Sequence, residues 1–363
     1  MQQLNARTIV WPKNLGHNQS IAGNSLEPAA PPGLLVIGGQ SVDRPLSSIE
    51  TFGFEDDNNC TIPNLPETRY GLAAFKTSSR KLSVCGGWWE GKPDSTDCLT
   101  LDTSNGQWTR GSFEGNLFGD GVRGTATFED YGVFIFHPWS ISHLGIGSVT
   151  WVLGPETPVE VECACKVSEN SFVVVGSNSG NNVLEYSITS GHWEEADTWP
   201  AMITKRKSPA CAATSHHLVV AGGLTLQGEA LASVEIYRLD SKNLGRASNM
   251  TSVRSFFTLI PVGLIRPRVL AIGGRIGDSF LDSSEFWEED ENEWEEGPQL
   301  GRGRSSLGTI MIESKFACVD NLLPHSCQAT ESDKECVFSE NQGTYCFQKK
   351  TICFPLFCAP FPS

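Results

Sequence analysis

Short apolar runs that end in glycine punctuate the chain. They read GLLVIGGQ from Gly33, KLSVCGGWW from Lys81, FVVVGSN from Phe172, LVVAGGL from Leu218 and VLAIGGR from Val269. Periodicity alone does not separate a buried strand from a piece of buried helix in runs this short. Recurrence does. The glycines fall near residues 38, 86, 176, 222 and 273, and the gap from 86 to 176 is twice the others. YGVFIFHP (Tyr131–Pro138) fills that gap with a run of the same character and no glycine pair. Six copies at a spacing of tens of residues are the mark of a propeller-type repeat.

Each copy carries further strand signals. After the glycines come a polar turn and a second alternating run: SSIETFGF, DCLTLD, NVLEYSI, SVEIYRL or SSEFWEE. Tryptophan then announces a third element at Trp108, Trp193 and Trp294, and a small, apolar strand leads into the next glycine pair. Four antiparallel strands per copy make one blade. The glycines suit the sharp turn after the apolar strand, because positive φ costs glycine little. The expected fold is all-β, a six-bladed β-propeller over residues 33–312. The run RSSLGTIMI (Arg304–Ile312) has the character of an innermost strand and is expected to complete the first blade, leaving no open sheet edge. Residues 1–32 form an extension without a core pattern, and residues 313–363 a cysteine-rich tail.

The double glycine, the aromatic residue in the next strand, the tryptophan and the arginine before each innermost strand together resemble the kelch repeat family. The resemblance covers about residues 33–312. It implies a non-catalytic protein-interaction module that binds another protein or an acidic peptide through loops at one face. Two alternatives come with the family. Sugar epimerases have the same blade count and an arginine-rich cavity, but no clear acid/base pair stands near the arginines here. Copper radical oxidases need tyrosines, and among the five present Tyr186 and Tyr237 fill the repeat's own aromatic slot. An intracellular adaptor is a third reading, disfavoured because no segment has the period of the helical domains that precede such propellers. No catalytic residue, cofactor or metal is assigned.

Charge narrows the partners. The net charge of −15 repels nucleic-acid phosphate and anionic lipid. No apolar run is long enough to span a bilayer. The N-terminus shows no signal-peptide pattern, yet six of the twelve cysteines (Cys318, Cys327, Cys336, Cys346, Cys353, Cys358) crowd the tail like a secreted disulfide module. The expectation is a secreted protein whose start as given is incomplete, with a cytoplasmic location as the alternative. Asn18, Asn59 and Asn249 are then candidate glycan acceptors.

The candidate chemistry is basic. Arg69, Arg123, Arg206, Arg254 and Arg304 each precede by four residues a small residue assigned to an innermost strand: Ala73, Thr127, Ala210, Thr258 and Gly308. Blade equivalence gathers them around the channel, either as a ring for a carboxylate or as ties to loop carbonyls. The run EEDENEWEE (Glu288–Glu296) reads as a solvated hairpin turn. His216 and His217 are adjacent, and alternation in a strand makes them poor co-ligands. Cys163 and Cys165 share one strand face as buried thiols or disulfide partners. Cys85 and Cys98 flank one turn and are candidates for a cross-strand bridge.

Overall fold

The computed structural model describes residues 33–312, apart from 53–61, 89–95, 112, 116, 118–120, 177–180, 196–197 and 264–266, and the backbone of four strands between 334 and 360. The described residues are all-β and form a six-bladed β-propeller. Blade 1 begins with β1 (Gly33–Ile37) and β2 (Ile49–Phe52). Blade 2 holds β3 (Ala73–Ser78), β4 (Lys81–Cys85), β5 (Cys98–Asp102) and β6 (Gln107–Arg110). Blade 3 holds β7 (Gly124–Phe128), β8 (Gly132–Phe136), β9 (Ile141–Leu144) and β10 (Val152–Leu153). Blade 4 holds β11 (Val161–Ser168), β12 (Ser171–Gly176), β13 (Asn182–Ser187) and β14 (His192–Trp193). Blade 5 holds β15 (Ala210–Ala213), β16 (His217–Ala221), β17 (Val234–Arg238) and β18 (Leu244–Arg246). Blade 6 holds β19 (Thr258–Val262) and β20 (Arg268–Ile272), then the small hairpin of β21 (Arg275–Ile276) and β22 (Ser279–Phe280), then β23 (Ser284–Glu288) and β24 (Glu293–Glu296).

The last strand of the ring, β25 (Gly308–Ile312), pairs antiparallel with β1, Gly33 opposite Ile312 and Ile37 opposite Gly308. The two ends of the repeat region therefore share blade 1, as the sequence pattern requires. The filler copy at Tyr131–Pro138 is β8, and the blade it belongs to is complete. Past the ring, β26 (Lys334–Ser339), β27 (Gly343–Gln348), β28 (Thr351–Phe354) and β29 (Phe357–Pro360) form an antiparallel sheet. Its register sets Cys336 opposite Cys346, Cys346 opposite Cys353 and Cys353 opposite Cys358. Cys318, Cys327, Asn18 and Asn59 lie outside the described residues, and Asn249 is exposed.

The core is divided among the blade interfaces. Strands buried on both faces read as continuous apolar runs, and successive side chains serve opposite neighbours. In blade 6, Val269 and Ala271 pack toward blade 5 while Leu270 and Ile272 pack toward blade 1. The tryptophans of the outermost strands fasten the rim. Trp108, Trp193 and Trp294 each donate their indole N–H to a carbonyl of the preceding blade's outer segment: Pro63 at 3.1 Å, Glu156 at 2.9 Å and Ser248 at 2.9 Å.

Candidate functional site

Antiparallel strands alternate in direction, so the loops joining second to third strands emerge at the same face as the loops joining one blade to the next. The double glycines, the arginines and the mouth of the central channel all sit at this face. Backbone bridges between the two loop sets confirm it: Tyr70 with Trp88, Lys207 with Leu224 and Ser255 with Arg275.

Four of the five arginines do not line the channel. Arg69, Arg206, Arg254 and Arg304 are buried and point into their own blades. Each donates from Nη1 to the carbonyl of its blade's first glycine, at 2.9 Å for Gly86, Gly222 and Gly273 and 3.0 Å for Gly38. Each also meets a carboxylate. Arg206 pairs with Glu235 at 2.7 Å and Arg254 with Glu285 at 2.8 Å. Arg304 pairs with Glu50, and Arg69 with Asp97 and Glu67. Of the two sequence readings, the observed bonding is that of ties to carbonyls rather than of a channel ring. The missed signal was the recurring Ser-x-Glu triplet: Ser48–Glu50, Ser233–Glu235 and Ser283–Glu285. Its serine carbonyl and glutamate carboxylate complete the arginine's partners, as with Ser283 and Glu285 around Arg254.

The glycine pair belongs to the same device. The second glycine's N–H donates to the backbone carbonyl of the next blade's arginine: Gly39 to Arg69, Gly223 to Arg254 and Gly274 to Arg304, each at 2.8 Å. The approach leaves no room for a side chain on the first glycine. A Cβ on Gly273, at φ +66°, would stand 2.6 Å from the Arg304 carbonyl. Glycine side, arginine backbone and arginine side chain thus alternate from blade 5 through blades 6 and 1 to blade 2. A second chain of backbone bonds runs inside the first. Gly71 donates to Ser306, Ser306 to Phe256 and Phe256 to Ser208, and the Ser208 N–H ends on the Glu162 carboxylate of blade 4 at 2.8 Å. Ser208, Phe256 and Ser306 hold φ near +50° to make these bonds, a conformation uncommon outside glycine.

Blade 3 departs from the scheme, and Arg123 with it. Its innermost strand starts at Gly124, opposite Phe136, and Thr127 is the fourth residue of that strand, whereas Ala73, Ala210, Thr258 and Gly308 are the first of theirs. Arg123 therefore stands immediately before the strand, at the place of Leu72 and Leu307 rather than that of the other arginines. His137 occupies the first-glycine position and Ser142 the glutamate position, and the two face each other at 3.0 Å. Arg123 is half-buried at the channel wall, with a buried Nε that has no hydrogen-bond partner. The channel itself is a cavity of about 760 Å³ walled by the innermost strands.

The loops between second and third strands carry one exposed apolar side chain in each of five blades: Val42, Trp88, Trp139, Leu226 and Ile276. Ile203, from an inter-blade loop at the same face, is also exposed, as are Arg44, Lys205 and Lys207. Trp88 stacks on Tyr70 with ring centroids 6.1 Å apart, and the Arg275 guanidinium lies 4.4 Å from the Phe256 ring. None of these apolar residues stood out in the sequence, where single exposed apolar residues are ordinary.

The remaining candidates resolve as follows. Cys85 and Cys98 lie directly opposite and are joined by a disulfide. His216 and His217 do meet one group after all. His216 is in the turn before β16, so strand alternation does not separate the pair, and each Nδ1 lies 2.8 Å from the same Glu289 oxygen. The acidic turn is correspondingly less solvated than its sequence suggests: Glu288 is buried in an ion pair with Arg268. Burial pushes the Glu289 carboxyl up, but hydrogen bonds from Thr214 and His217 outweigh it and hold the carboxyl below its ordinary value.

Fold and site together define a β-propeller with one loop face that exposes apolar side chains among charges of both signs, Asp43, Glu229 and Asp278 beside Arg44, Lys205 and Lys207. No protein-family model matches the chain, and no curated protein is significantly similar to it.

Proposed function

We propose that this chain is a kelch-type propeller acting as a non-catalytic protein-binding module, whose binding surface is the face that holds the double glycines. The observation that carries the reading is the set of five exposed apolar side chains, Val42, Trp88, Trp139, Leu226 and Ile276, from the equivalent loops of five of the six blades. Exposed apolar groups gathered on one face favour a protein partner, and aromatic residues are the usual anchors of such surfaces. Exposed Arg44, Lys205 and Lys207 on the same face offer donors to carboxylates of a partner segment, beside the exposed Asp43, Glu229 and Asp278. The buried arginines spend their donors on carbonyls and glutamates, which argues for binding over the epimerase alternative. The Cys85–Cys98 bridge and the exposed Asn249 sequon support an extracellular setting.

The test is a peptide-display screen against the folded chain. Enriched peptides are expected to combine aromatic or aliphatic residues with Asp and Glu. A Trp88→Ser/Trp139→Ser/Leu226→Ser variant is expected to lose them. An Ile146→Ser/Val149→Ser variant, altered in the β9–β10 turn of the opposite face, is expected to keep them. No enrichment, or equal loss in both variants, rejects the reading.

A further inference from the structure

Three thiols meet at the inner end of the interface between blades 4 and 5. Cys163 and Cys165 project from one face of β11, and Cys211 projects toward them from β15. All three are buried and unoxidised in this structure. Cys211 packs with both Cys163 and Cys165 in one buried cluster across this interface. The cluster also borders the central channel, which gives it a route to small solutes. Neither the arginine device nor the proposed binding face uses these residues.

We propose that the cluster is an oxidation site, in which Cys211 forms a disulfide with Cys163 or Cys165 and staples blade 4 to blade 5. Geometry makes Cys211 the obligatory partner. Two residues apart on one strand, Cys163 and Cys165 have parallel Cβ directions about 6–7 Å apart, whereas a disulfide needs about 3.5–4.5 Å between Cβ atoms. The oxidant is a small-molecule disulfide such as glutathione disulfide. Cys211 loses its proton and its Sγ attacks one sulfur of that disulfide. The S–S bond breaks, a mixed disulfide forms, and one glutathione leaves as a thiol with the proton. Sγ of Cys163 or Cys165 then displaces the second glutathione, again as a thiol. Two protein thiols are oxidised, one external disulfide is reduced, and one protein thiol remains. Burial favours this product over a bound metal ion. It pushes the Cys163 and Cys211 thiols up, with the Glu162 charge adding to the effect at Cys163. A neutral disulfide avoids the cost of holding several thiolates in that setting.

The experiment is peptide mapping of the full folded chain after equilibration with a glutathione/glutathione disulfide buffer. Remaining thiols are alkylated in denaturant and the digest is analysed without reduction. The expected result is a linked pair joining the peptide that ends at Lys166 to the peptide that carries Cys211, with a single alkyl group among the three cysteines. Oxidation is expected to speed up as the pH rises. Cys163→Ser and Cys165→Ser are each expected to keep the link, and Cys211→Ser to lose it, leaving Cys163 and Cys165 alkylated. Three alkylated cysteines under conditions that leave Cys85–Cys98 bridged would overturn the proposal. So would glutathione adducts without a link, or a link that survives Cys211→Ser.

Discussion

Arg254 and Glu285 hold each other inside blade 6. Nε and Nη2 of the arginine both donate to Oε1 of the glutamate, at 2.9 and 2.8 Å, and neither residue reaches solvent. The same carboxylate accepts the backbone N–H groups of Thr251 and Ser252, so one pair fixes the loop that enters the blade.

Breaking that pair strands a buried charge. Arg254→Ala is expected to lower unfolding free energy by about 3–5 kcal/mol, read by chemical denaturation. Arg254→Lys should recover little of it, because an ammonium cannot serve Gly273, Ser283 and Glu285 together. A lysine variant as stable as the parent would remove the case for a specific fork. Arg123→Ala, by contrast, leaves no pair broken and is expected to stay within about 0.5 kcal/mol of the parent.

Gly273 and Gly277 separate backbone strain from crowding. Both hold positive φ, +66° and +55°, but only Gly273 faces a neighbour, the Arg304 carbonyl. Gly277→Ala is expected to cost about 1 kcal/mol, the price of the conformation alone. Gly273→Ala should cost clearly more, and thermal midpoints of the two variants decide the matter. Equal shifts would mean that the blade contact adds nothing.

Tyr237 is buried between blades 4 and 5, and its hydroxyl has no hydrogen-bond partner. Burial pushes its ionisation up. Removing an unsatisfied polar group relieves a desolvation cost, so Tyr237→Phe is expected to leave stability unchanged or raise it by up to about 1 kcal/mol. A loss of more than that would reveal a partner for the hydroxyl.

The His216–His217–Glu289 cluster gives an acid dependence. The folded state holds the Glu289 carboxyl below its ordinary value of 4.5, so its contribution is fully present above that value. It disappears as the pH falls through the lower folded value. Glu289→Gln is therefore expected to flatten the acid limb of a stability-against-pH curve. An unchanged acid limb would exclude the cluster as its source.

Blade number, the filler copy at Tyr131 and the closing strand at Gly308 were all legible, because each depends on an apolar run with its own local signature. The role of the arginines was not. A guanidinium reads alike in sequence whether it faces a channel or a glutamate some thirty residues on, as with Arg206 and Glu235. Arg123 misled for a different reason: Thr127 does lie in its innermost strand, but as the fourth residue rather than the first, so the same spacing sets Arg123 at the strand's edge instead of inside the blade. The apolar loop residues were invisible because only the ring brings Val42 and Ile276 to one face.

The pairing of β1 with β25 also sets an order of events during synthesis. Blade 1 is made from the first and last strands of the ring, so Leu34–Ile37 have no inner neighbour until Gly308–Ile312 have been made. Until then an apolar strand edge waits in the nascent chain, open to pairing with other chains. Ring completion therefore waits until Ile312 has been made, and the long sequence separation of that contact makes it a slow step. A cell producing this protein must shield the β1 edge for as long as the ribosome takes to reach Ile312.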